Sequence, residues 1–423
     1  MSISRSIGIA CLSAMLTVEA SSQVDRAQTL PAPQRVYLAS RIYSAVEQYF
    51  AGWTPELRKQ FDEAYKQYLT NVLGSDQRRG FDMASIRLLA TLHSGHTDFR
   101  DSWLDDSDGM PLGFDARDLD GKWTVTTSGV PGISQGDVVE TIDGKPIQQF
   151  FDNARRYLAD SSARAQETDL FSTGYLFPRK FVVGLSGNSS VTVDRAQHSS
   201  AGPGEAGVTG RWIQDRAIAY IKIPAFDGVT YQAKAIDLVH EFKSASVLII
   251  DLRGNPGGRG DPPRELQMAL MNTPYRSWIE TDPTMIGRLS TMGYLQASVS
   301  SGALWVHPEG RPEGGIFRGR LLLLVDRVCA SYCEDFLMPF KTSGRGTLIG
   351  ETTAGTYAQT VSLDLGDGMS VLIAATVERF PDGSDFEGVG IKPDFPVSST
   401  PVEVGNGTDS CMRKALQLAG ASE

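Results

Sequence analysis

The sequence predicts an α/β protein in which a mixed, substantially parallel sheet follows a helical subdomain and a small β module. Three observations carry this. From Arg211 onward, strand-like apolar runs alternate with helical patterns, which implies crossover units and parallel strands. Between Gln34 and Leu92 the apolar residues recur at helical spacing. Between these regions, residues 111–151 carry short alternating runs broken by turn signals.

Each element follows from its local pattern. Val36, Leu38, Ile42, Val46, Tyr49 and Phe50, then Phe61, Tyr65, Tyr68, Leu69 and Val72, mark several helices. Trp123 to Val125 and Val138 to Ile142 alternate as strands, with Asp120-Gly121 and Asp143-Gly144 as turns. Phe181 to Arg195 reads as two strands around Gly187-Asn188, and the Gly-rich stretch Ser199 to Gly210 as an interdomain loop. Residues 217–223 and 247–254 are strands separated by a helix over Tyr231 to Lys243. A further helix follows around Pro263 to Met271, then an irregular stretch to about Gly315 and a third strand at 321–326. Residues 370–380 add β structure, and Asp409 to Leu418 forms a short amphipathic helix.

Length and composition bound the function. A chain of 423 residues suggests two or three domains, and 41% hydrophobic residues suffice for a sizeable core. The formal charge is −10 with no basic run, which argues against a nucleic-acid partner. No apolar run after the N-terminus reaches the roughly 18 residues of a membrane span. At the N-terminus, Arg5, a short apolar stretch over Ser6 to Val18 and Val18-Glu19-Ala20 read as a secretory signal peptide over residues 1–20. Cys11 fits a lipid attachment site poorly. Export would leave Cys329, Cys333 and Cys411, enough for one disulfide of open pairing and one free thiol. Cys329 and Cys333 alone make no zinc pattern, so neither a metal nor a cofactor is expected. Asn188 and Asn406 head glycosylation sequons, relevant only in a eukaryotic secretory route.

The segment Leu321 to Gln359 carries the chemistry. It reads as strand, tight turn, helix and strand, with Ser331 where the turn becomes the helix. Serine is a common helix N-cap. A serine hydroxyl there is also close to backbone N–H groups and the positive end of the helix dipole, which favours an attacking alkoxide and a neighbouring oxyanion.

Two resemblances sharpen this. The order Gly-Asp-Val-x-x-x-Ile-Asp-Gly-Lys-Pro-Ile, from Gly136, resembles the late part of a PDZ domain, a module that captures chain ends by strand addition. Further, LHSGHT at 92–97, DLRGNPGG at 251–258, VDRVCASYCEDF at 325–336 and EGVGIKPDFPV at 387–397 occur in the order seen in the tail-specific, or C-terminal processing, serine proteases. The chain therefore resembles that family over about residues 35–420. The resemblance implies a crotonase-like core over 206–423, a PDZ-like module with connecting strands over 106–205, and a helical subdomain over 21–105 that ends in a His-bearing motif. It puts Ser331 on the nucleophile. The family's usual lysine base falls on Thr356, which cannot accept a proton near neutral pH, and Lys341 is about 15 Å away along a helix. The pattern is instead similar to a tricorn-like branch that uses Ser, His and Glu. That branch implies His96 as base, with His93 as fallback, and Glu387 as the residue that orients the imidazole. Asp382 and Asp385 share the Glu387 loop, while His198, His240 and His307 lie outside the motifs. The oxyanion would meet the Tyr332 N–H and one from Gly257 or Gly258. Asp251, Arg253 and Asp326 are read as structural.

The implied activity is that of a secreted or periplasmic serine endopeptidase acting on unstructured or partly unfolded polypeptides, with the oligomeric state left open. The competing reading is a catalytically inactive protein on the same fold that binds a peptide or apolar ligand. A cysteine hydrolase is disfavoured because neither Cys329 nor Cys333 falls at the nucleophile position.

Overall fold

In the central sheet every neighbouring pair of strands is parallel except the last. The strand order is Phe395–Pro396, Gly346–Gly350, Arg320–Val325, Val247–Asp251, Ile218–Lys222, Thr209–Ile213. These strands belong to a computed structural model that describes residues 28–198, 207–213, 217–228, 230–259, 262–282 and 315–421. The signal-peptide reading, Cys11, His307 and most of the stretch expected to be irregular before Gly315 lie outside the described residues.

The parallel arrangement follows from how each strand is connected. The helices Tyr231–Glu241, Arg264–Leu270 and Tyr332–Ser343 each lie in the sequence between two of the parallel strands. Such strands are buried on both faces and read as continuous apolar runs. Their side chains still alternate. Leu248, Ile250, Leu321 and Leu323 pack with the crossover helices, while Ile249, Leu322 and Leu324 pack toward the C-terminal helix Ser410–Ala419. The loops at the carboxyl ends of the strands start at Asp251, Val325 and Gly350, which is where open α/β sheets place their ligands.

The N-terminal helices are Ala32–Tyr49, Pro55–Gly74 and Arg78–Ala90. Thr54 caps the second, accepting from the Leu57 N–H at 3.1 Å, and Pro55 supplies a fixed φ at its first position. The helices do not form a core by themselves. Asp98–Asp101, Met369–Ala374 and Thr360–Gly366 make a three-stranded antiparallel sheet whose Phe99, Val371 and Ile373 join the helical core. The sequence reading grouped these late strands with the rest of the C-terminal half. They instead fold back across some 270 residues of sequence, because their alternating apolar face needs a partner and the helices supply one.

A buried ion pair anchors this return. Arg78 grips Asp101 through Nε–Oδ2 at 2.7 Å and Nη2–Oδ1 at 2.9 Å, and donates to the Asp367 carbonyl at 2.6 Å. The β module has a core of its own, built from Phe114–Leu119, Lys122–Ser128, Val139–Ile142, Lys180–Leu185, Ser189–Asp194 and the helix Ile147–Ala154. The expected turns at Asp120-Gly121 and Asp143-Gly144 have positive φ at both residues, the geometry of a tight hairpin turn.

Asp82 is fully buried beside this pair, and burial together with the Asp101 charge pushes its carboxyl up to about 8. Its folded value lies above its unfolded one, so its contribution to stability is complete below about pH 4 and is lost as pH rises toward 8. Thermal unfolding at pH 5 and pH 8 should show a lower melting temperature at pH 8. Asp82→Asn should narrow that gap by several degrees, and an unchanged gap would refute the assignment.

Candidate active site

Ser331 stands directly before the helix Tyr332–Ser343 with φ 53° and ψ −122°. Positive φ is unusual for a serine and costs about 1–3 kcal/mol, so the surroundings must hold it there. The side chain makes no capping hydrogen bond. The hydroxyl lies instead 3.1 Å from Nε2 of His96, and the backbone N–H donates to the Thr356 carbonyl at 2.9 Å. The capping role open to this serine in the sequence is not the one it takes.

His96 reaches Ser331 because Thr97 and Asp98 lead directly into the three-stranded sheet. Thr97 Oγ1 accepts from the Ala374 N–H at 3.1 Å and locks the segment to the neighbouring strand. His93, the fallback base, is exposed, has φ 49° and lines a different groove. Burial and the Arg100 charge hold the His96 imidazole down to about 4, so it is neutral across the neutral range.

The other side of the imidazole differs from expectation. Nδ1 lies 3.1 Å from Thr356 Oγ1, and among the described residues no hydrogen bond joins His96 to Glu387. Glu387 is half-buried in the segment that packs on the Thr356 turn, where the Gly388 N–H donates to the Gly355 carbonyl at 2.8 Å. The Ser161 hydroxyl beside it donates to the Gly355 carbonyl at 3.1 Å, and Glu387 Oε1 is buried without a hydrogen-bond partner among the described residues. Burial and the nearby Glu334 raise Glu387 to about 8, so it is mostly protonated at neutral pH. Asp382 accepts from Ser384, and Asp385 pairs with Arg379, both on the surface.

Glu334 was not singled out by the sequence reading and has a defined task. Its carboxylate, fully buried one turn into the Ser331 helix, accepts from Thr353 Oγ1 at 2.5 Å, the Gly355 N–H at 2.8 Å and the Thr356 N–H at 2.9 Å. Burial raises it to about 7 against the pull of these donors. Gly95 was missed as well. A Cβ there would lie 2.5 Å from Thr356 Oγ1, so only glycine lets the two segments meet this closely.

The expected oxyanion donors separate. The Gly257 N–H is taken by Asn255 Oδ1 at 2.8 Å, so this donor is not directed at the reacting position. Gly257 has φ 96°, and a Cβ there would lie 2.8 Å from Ser331 Cβ. Its role is to let the loop pack on the nucleophile turn. Gly258 and Tyr332 both line the cleft with Ser331. That cleft has a volume of about 890 Å³. One wall is the polar face of the three-stranded sheet, with Arg100, Ser362, Ser370 and Leu372.

Cys329 and Cys333 are joined by a disulfide that spans Ser331, with Cα atoms 5.4 Å apart, while Cys411 is a free buried thiol. The residues read as structural take that part. Asp251 accepts from Tyr220, Lys222 and Arg253; Arg253 also pairs with Asp409 at 2.7 Å; Asp326 accepts from the Gly254 N–H at 2.9 Å. Lys341 pairs with Asp394 at 2.5 Å. No cluster of metal-ligating side chains occurs among the described residues.

Residues 217–397 match the model of peptidase family S41. Two carboxyl-terminal-processing proteases are similar in sequence. That of Synechocystis sp. is 24% identical over 293 residues, covering 68% of this chain and 61% of its own. That of Picosynechococcus sp. is 24% identical over 206 residues, covering 48% and 45%. The match thus spans less than two thirds of either relative. Among solved structures, mature CPAF superposes with a TM-score of 0.67 over 92% of this chain and 98% of its own, at 12% identity, a likeness of fold.

His96 should titrate near pH 4. Its imidazole signals in an NMR pH series should stay those of the neutral ring through pH 5.5. A midpoint near 6.5 would show that the ring is not held as described.

Proposed function

We propose that this chain, whose residues 217–397 match the model of peptidase family S41, is a serine endopeptidase that cleaves unstructured or partly unfolded polypeptides. The observation that carries the reading is the 3.1 Å contact between His96 Nε2 and the hydroxyl of Ser331, whose backbone holds a positive φ at the head of a helix, inside a cleft large enough for an extended peptide.

The chemistry follows from these atoms. Neutral His96 takes the Ser331 proton as the oxygen attacks the scissile carbonyl. Charge then develops on the carbonyl oxygen, beside the backbone N–H groups of Tyr332 and Gly258 and the positive helix end. The imidazolium returns its proton to the leaving amine, and the acyl group stays on Ser331 Oγ. A water activated by the same imidazole releases it. Glu387 acts at one remove in this scheme: its segment is tied to the turn behind Thr356 by the Gly388 N–H on the Gly355 carbonyl, and it does not touch His96. The PDZ-like β module captures substrate chain ends by strand addition. The disulfide beside the nucleophile fits an oxidising compartment, periplasmic or extracellular. The non-catalytic binding reading has no comparable observation in its favour, since ligand binding has no use for a serine held at positive φ with its hydroxyl against a neutral imidazole.

A fluorophosphonate probe tests the nucleophile, and casein tests the activity. Wild type should label and cleave. Ser331→Ala should do neither, and His96→Ala should lose about 10²–10⁴-fold in rate while His93→Ala stays near wild type. Cleavage that survives Ser331→Ala, or a folded wild type that neither labels nor cleaves, would overturn the proposal.

A further inference from the structure

Thr356 touches the candidate machinery at three points. Its hydroxyl lies 3.1 Å from His96 Nδ1. Its carbonyl accepts the Ser331 N–H at 2.9 Å. Its own N–H donates to Glu334 Oε2 at 2.9 Å. The residue is buried, and its turn is further held by Gly355 and Thr353 on the same Glu334 carboxylate. The threonine backbone is thus fixed relative to the nucleophile, and its side chain is fixed relative to the base.

The requirement on the imidazole decides what this contact does. To take the Ser331 proton, Nε2 must carry the lone pair, so Nδ1 must carry the hydrogen. That hydrogen needs an acceptor, since an unpaired buried donor costs roughly 1–3 kcal/mol. The acceptor within reach is Thr356 Oγ1. We infer that Thr356 is the positioning residue of the base: its hydroxyl accepts the Nδ1–H, selects the tautomer with Nε2 facing Ser331, and sets the separation of the two reacting groups. The inference rests on the peptidase reading for its catalytic meaning but not for its geometry.

Two features agree with a hydroxyl in this place. A neutral acceptor stabilises imidazolium less than a carboxylate does, consistent with an imidazole held near 4. Gly95 leaves open the space the hydroxyl occupies, since a Cβ at that position would lie 2.5 Å from Oγ1. The pairing of a side-chain-free residue at 95 with a hydroxyl at 356 is a matched set.

The test compares Thr356→Val, which keeps shape and removes the hydroxyl, with Thr356→Ser, which keeps the hydroxyl. Three quantities are read in the full chain: the rate of fluorophosphonate labelling, kcat and KM on casein, and the ¹⁵N imidazole spectrum of His96. Thr356→Val should slow labelling on the order of tenfold, the equivalent of one neutral hydrogen bond. It should lower kcat with KM unchanged and shift His96 away from the Nδ1–H tautomer. Thr356→Ser should recover most of the rate and the wild-type spectrum. Gly95→Ala, which leaves Thr356 in place and displaces its hydroxyl, should reproduce the loss if Thr356→Val does not fold. The inference is overturned if folded Thr356→Val labels at the wild-type rate or leaves the His96 tautomer unchanged. The spectrum needs no turnover, so it decides the positioning role even in a chain whose peptidase reading has failed at Ser331.

Discussion

The buried carboxylate of Glu334 is the constraint on which the site depends. It sits one turn into the helix that Ser331 begins, and it takes three hydrogen bonds from the turn 353–356. The carboxyl ends of two neighbouring strands, Arg320–Val325 and Gly346–Gly350, lead into these two segments. Without an internal acceptor the N–H groups of Gly355 and Thr356 would be buried and unpaired, and the turn would have no reason to lie against the nucleophile. With it, the Thr356 carbonyl meets the Ser331 N–H and helps hold a φ that serine otherwise avoids.

The base reaches this frame from a distant part of the chain. His96 follows the third helix and precedes a strand that pairs with Met369–Ala374. That strand belongs to a sheet whose inner face completes the helical core. The Arg78–Asp101 pair closes the joint where it is driest. The packing of the N-terminal helices therefore sets the position of His96. The same sheet presents its polar face to the cleft, so one element serves as core on one side and cleft wall on the other, as the two-residue period of a strand allows.

Much of the site was legible. Ser331 and His96 stood in motifs whose order resembles a known family, and they lie together in the fold. The motif order implied Glu387 as the acid that orients the imidazole, and the side chain within reach of His96 Nδ1 is instead Thr356. The reason is geometric. A sequence motif places a residue on a loop to within a few ångströms, and a hydrogen bond is decided by less than one. Gly257 shows the same limit, because its N–H was available in the sequence and is taken by Asn255 two residues earlier in the fold. Thr356 was read only as a lost lysine, since nothing in its neighbours shows that its hydroxyl would meet a histidine 260 residues away.

By itself the sequence determined the parts that depend on local periodicity and on chain order: the helical N-terminal region, the hairpin turns of the β module, the parallel strands with their crossover helices, and the serine at a strand-to-helix turn. These rest on side-chain spacing and backbone preference, which act over a few residues. Only the tertiary structure decided which cysteines pair, that the strands after Gln359 close the N-terminal core, and that a threonine rather than a glutamate meets the imidazole. Each of these is a contact between segments far apart in sequence. Its partner is chosen by what must be buried and which polar groups must then be satisfied, and no local pattern carries that information.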